Sequence, residues 1–123
     1  MRPAVLSVSA ERVLAPIRNT VLARAGYGVI PAMSTESALR ILRGRHVCVM
    51  VISNSLPILE RQELCWEAQR RGVPSVVLDP YDELEEGEPG LRVNPLDGPE
   101  AFLDALAGLR RRNHHVCPNL ERC

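Results

Sequence analysis

The sequence predicts an α/β domain, a three-layer sandwich in which a five-stranded parallel sheet lies between two layers of helix. Three observations point to it. Short β-branched runs alternate with stretches of helical periodicity, the links between them are brief, and one run, "VCVMVI" at 47–52, is apolar throughout, as a strand covered on both faces must be. Strand–helix–strand repeats with short links demand parallel pairing and right-handed crossovers, which put helices on both sides of the sheet. At 123 residues the chain has the size of one domain.

The strands are expected at "AVLSV" (4–8), "GVI" (28–30), "VCVMVI" (47–52), "SVVL" (75–78) and "LRV" (91–93). Between the first two, "ERVLAPIRNTVLARAG" carries Val13, Leu14, Ile17, Val21 and Leu22 at helical spacing, which predicts that these five face the core. Pro16 fits only near the first turn, and Gly26 is placed to end the helix. In "STESALRILRG" Ser34 offers an N-cap, Glu36 suits the positive helix end, Ala38, Leu39, Ile41 and Leu42 form an inner face, and Gly44 stops the helix. A third helix is predicted from about Glu60 to Arg71, burying Leu64, either Cys65 or Trp66, and Ala68. The last opens at Pro99 and presents Phe102, Leu103, Leu106 and Leu109 on one side. The acidic stretch "DPYDELEEGEPG" (79–90) has room for one helical turn around Tyr81 to Glu86, so the fourth crossover helix is expected to be shortened. Beyond "LRRR", the segment 113–123 has no periodicity and reads as a C-terminal tail to a domain spanning 3–112.

Composition excludes several function classes. Fifteen basic residues balance fifteen acidic ones, so no net field attracts nucleic acid or anionic lipid. All fifteen basic residues are arginine, which rules out lysine Schiff-base and phosphate-loop lysine chemistry. The opening "MRPAVLSVSAER" has an apolar run too short for a signal peptide or a membrane span, and a cytoplasmic location is the expectation. Cys48, Cys65, Cys117 and Cys123 show no disulfide framework, so reduced thiols are expected. The tail residues His114, His115, Cys117 and Cys123 are metal-type ligands without paired zinc spacing, and no metal or cofactor is predicted. The arginine run 110–112 suits a helix carboxyl end and, with few aromatics, does not indicate a nucleic-acid surface.

In parallel α/β sheets the working crevice lies at the carboxyl ends of the strands. Those ends carry Ser9 and Ala10, Ser53, Asp79 and Asn94. One carboxylate among neutral groups is a weak magnesium site, because that ion prefers several hard oxygens including carboxylates. No histidine stands near a strand end to activate a serine, and no glycine-rich phosphate loop is present, so the chain is not expected to be an enzyme. Asp79 and Asn94, on neighbouring strand ends, are expected to hydrogen-bond to each other, with a new ligand site as the alternative.

The order of these pieces resembles the receiver domain of bacterial two-component response regulators. "VLSVSAE", "LARAGYGVIPAMSTESALRIL", "VMVISNSLP", "GVPSVVLDP" and "RVNP" are each similar to a successive part of that flavodoxin-like fold. The resemblance implies the strand order 2-1-3-4-5. It also implies that the family's magnesium-binding acidic pair falls on Ser9 and Ala10, its phosphate-accepting aspartate on Ser53, its strand-4 hydroxyl on Asp79, its strand-5 lysine on Asn94 and its aromatic switch on Leu91. None of these residues matches. A cis peptide before Pro95 is a further expectation from the resemblance, since X-Pro bonds are where cis occurs. The function this implies is a pseudo-receiver: a phosphorylation-independent protein-interaction module in two-component-like signalling, outside the phosphorelay chemistry itself. Its partner would be a signalling protein, with opposite charges at "LEEGE" and "LRRR" permitting a weak homodimer. The alternative is a small-ligand binder or enzyme that reuses the strand-end crevice.

Overall fold

The computed structural model describes residues 2–80 and 89–112. The elements run β1 (Ala4–Val8), α1 (Leu14–Arg24), β2 (Gly28–Ala32), α2 (Thr35–Gly44), β3 (Val49–Ser53), α3 (Ile58–Arg70), β4 (Ser75–Leu78), β5 (Leu91–Val93), a 3₁₀ turn (Pro95–Asp97) and α4 (Pro99–Arg112). All five strands pair parallel in the order β2-β1-β3-β4-β5. The predicted shortened crossover helix at Tyr81–Glu86, the acidic patch and the 113–123 tail lie outside the described residues.

β3 is central, and its consecutive residues divide the core. Met50 and Ile52 join Leu6, Val8, Ala38, Leu42 and Leu64 on the face covered by α2 and α3. Val49 and Val51 join Val5, Leu22, Tyr27, Phe102, Leu106 and Leu109 on the face covered by α1 and α4. The twofold alternation of a strand thus feeds two apolar layers, which is why β1 and β3 are buried along their whole length.

The helix ends follow local chemistry. Ser34 caps α2 by accepting from the Ser37 amide at 3.2 Å, as expected. α1 closes with Tyr27 N donating to Leu22 O and Gly26 N to Ala23 O, each at 3.1 Å, a reversal that needs Gly26 at φ +100°. α3 starts two residues earlier than expected, at Ile58, because the Glu60 and Arg61 amides both reach Pro57 O at 3.0 Å. Of the two candidates on that helix, Cys65 is buried and Trp66 is half exposed.

One expectation about α1 is overturned. Val13, Leu14 and Ile17 are 71%, 56% and 59% exposed, and the face against the sheet is instead Ala15, Asn19 and Leu22. The reason is polar: Ser7, buried on β1, donates to Asn19 Oδ1 at 2.6 Å, and leaving that hydroxyl unpaired beneath a helix would be costly. Satisfying it leaves the larger apolar stripe, Val13, Leu14 and Ile17, facing outward. The peptide before Pro95 is also not cis: the described residues contain no cis bond. Asn94 Oδ1 accepts from Leu96 N at 2.9 Å and Asn94 O from Asp97 N at 3.0 Å, so the corner is made by a tight turn in which a trans Pro95 serves as the first residue.

Candidate strand-end site

Register brings the predicted positions together. Val8 pairs with both Ala32 and Ile52, and Ser53 with Leu78, so Ser9 follows β1, Ser53 ends β3 and Asp79 follows β4 along one edge. Ser9, Ser53 and Asp79 are buried, Asn94 is half-buried and Ala10 is exposed.

The hydroxyls are already engaged. Ser9 N donates to Ala32 O at 3.0 Å, which fixes the end of β1, and Ser9 Oγ accepts from the Glu11 amide at 3.2 Å. Ser53 Oγ accepts from Ser55 N at 3.2 Å. Ser55, outside the five predicted positions, joins the two strand ends: its Oγ accepts from Ala10 N at 3.0 Å and lies 3.4 Å from Ser9 Oγ. The Ser53 turn is a local hydroxyl-to-amide bond that any non-proline residue at 55 could complete, whereas the bridge from Ser55 Oγ to Ser9 and Ala10 spans 45–46 residues and has no local signal.

The acids take separate roles. Glu11, next to the strand end, accepts from Val13 N at 2.5 Å and from Leu14 N, doing the work of an N-cap for α1, where Val13 has no capping side chain. The Val13 amide, foremost among the backbone bonds it accepts, holds its carboxyl below the ordinary range. Asp79 is anchored through its own amide to Val93 O at 3.0 Å, and Asn94 Oδ1 accepts from Leu96 N at 2.9 Å. That bond is a local turn, the Asn94 side chain accepting from the amide two residues on. Among the described residues no three His, Cys, Asp or Glu side chains come together as a metal site.

The architecture can be compared with solved structures. The signal receiver domain of an HD domain-containing protein from Pseudomonas fluorescens matches with a TM-score of 0.80 at 21% identity, over 94% of this chain and 99% of that one. The fold is that of a receiver domain. The Francisella response regulator receiver domain shares the receiver fold with a TM-score of 0.77 at 18% identity, over 90% of this chain and 98% of its own. So does the receiver domain of a Pseudomonas aeruginosa sensor histidine kinase, solved with magnesium in its active-site cleft, with a TM-score of 0.72 at 17% identity, over 90% of this chain and 97% of its own. No family model and no curated protein matches the sequence. Ser53 ends β3, and Ser9 and Ala10, Asp79 and Asn94 directly follow β1, β4 and β5. Among the described residues no helix is long and apolar enough to cross a membrane.

Proposed function

We propose that this chain is a pseudo-receiver: a cytoplasmic receiver-fold module of bacterial two-component-like signalling that acts through protein contacts without aspartyl phosphorylation. The observation that carries this reading is the closed hydroxyl network of Ser9, Ser53 and Ser55 at the strand ends. Aspartyl transfer needs a carboxylate nucleophile, a divalent cation and a positive group to offset the phosphoryl charge. Ser53 is a neutral hydroxyl that already accepts an amide, Glu11 is committed to the start of α1, and Asn94 carries no charge. One structural neighbour coordinates magnesium in its cleft; here Asp79 is the sole carboxylate among the five strand-end positions, which supports weak metal binding at most.

The experiment is a ¹H–¹⁵N NMR titration with beryllofluoride and magnesium, repeated with acetyl phosphate. The expected spectrum is unchanged at Ser9, Ser53, Ser55 and Asp79. Saturable shifts at those amides, or a phosphorylated species by mass spectrometry, would sink the reading.

A further inference from the structure

α2 and α3 lie side by side and run in the same direction. Thr35 Oγ1 donates to Glu60 Oε1 at 2.6 Å near their amino ends, and Arg43 Nη2 lies 3.6 Å from Glu67 Oε1 near their carboxyl ends. The inner face of this layer packs on the sheet. Its outer face is polarised. The amino-terminal halves carry the exposed acids Glu36 and Glu63, and the carboxyl-terminal halves carry the exposed cations Arg40, Arg43, Arg70 and Arg71. Three of those guanidiniums share one carboxylate, that of Glu67, so positive charge is left over after the pairing. Between the two charged ends α3 holds Leu59, 75% exposed, and Trp66, 51% exposed. Seven residues are two helical turns, so both side chains stand on one stripe about 10 Å long.

We propose that this layer is the interface of a reversible homodimer, in which a two-fold axis lays α2 and α3 of one copy antiparallel across α2 and α3 of the other. A contact between identical faces must be its own complement. Antiparallel docking meets that demand in charge and in shape: the acidic half of each layer meets the basic half of its partner, while Leu59 of each copy packs on Trp66 of the other. The helix dipoles oppose each other as well. A parallel arrangement would set the basic halves against each other. Helices of 10 and 13 residues give a face roughly 20 Å square, about 400 Å² per partner. That is about half of a standard interface, so the dimer is weak and concentration-dependent. The proposal uses nothing from the strand-end network and stands whether or not the chain is a pseudo-receiver.

Trp66 is the only tryptophan in the chain, so its emission reads this face. The test is sedimentation and tryptophan fluorescence of the full chain from about 10 μM to about 1 mM in low salt. Monomer is expected to pass to dimer, with emission shifting to the blue over the same range. E36R and R40E should each weaken association about tenfold or more, and the E36R/R40E double variant, with the polarity of α2 reversed, should recover most of it. L59A and W66A should each weaken it by a similar factor. The intrahelical Glu36–Arg40 bond at 3.3 Å, also lost in the single variants, acts on the melting of the monomer and not on association. Melting of dilute protein checks that each variant folds; if W66A does not, L59A and the native concentration series decide the matter. A monomer at every concentration, a dimer that leaves Trp66 emission unchanged, or a double variant that associates no better than the single ones would each overturn the proposal.

Discussion

Glu11 shows how one side chain can hold a helix and empty a site. Its carboxylate takes amides that the first turn of α1 would otherwise leave open, and it is thereby withdrawn from the strand-end crevice two residues behind it. Its folded-state pKa lies below the ordinary 4.5. The stabilisation is therefore complete above the ordinary value and disappears as pH falls through the lower folded one. An E11Q variant is expected to melt below the native chain at pH 7, with the gap closing toward pH 3; a gap that stays constant across that range would show that the carboxylate charge is not what α1 uses. Glu67 works in the same direction on a larger cluster. It is buried, accepts from Arg71 at 2.8 Å and Arg70 at 2.7 Å, and lies 3.6 Å from Arg43; the Arg71 bond is the foremost cause holding its carboxyl low. Acid should loosen α3 as well, and E67Q should make the melting curve less sensitive to pH over the same window.

At the scale of the element, α1 is where packing and periodicity part company. If Ser7 and Asn19 set its rotation, replacing Leu22, which is fully buried, should cost about 2–5 kcal/mol as L22A, while I17Q at the solvent-facing stripe should change stability by less than about 0.5 kcal/mol. Chemical denaturation measures both, and comparable losses would mean that the apolar stripe packs inward after all. The same contrast explains what the sequence made legible. Strands 1, 4 and 5, the Ser34 cap and the Phe102–Leu106–Leu109 face follow from spacing, because a β-branched run or a capping serine acts locally. The rotation of α1 depends on a hydroxyl twelve residues away on a buried strand, which no periodicity encodes. The strand-end positions were readable from order alone, since a parallel sheet places every strand's carboxyl end on one edge. Their wiring was not: Ser55 bridges β1 and β3 only once the register has set them side by side.

For the whole molecule, the sheet separates two cores that share strands but not side chains. The layer under α2 and α3 contains Ile52, the layer under α1 and α4 contains Leu106, and the strand backbone of β3 stands between them. The strand-end network sits on that backbone, so a rigid sheet holds Ser9 and Ser53 in register while the helices of each face carry whatever surface a partner reads. If the separation is physical, damage on one face should not be felt on the other. I52V is expected to cost about 0.5–1.5 kcal/mol and L106A about 2–5 kcal/mol. The double variant should equal their sum within about 0.5 kcal/mol, as independent sites do. Urea denaturation of the native chain, both single variants and the double variant closes this cycle. A coupling well beyond that margin would mean that β3 shifts between its two faces, and with it the serines at its end.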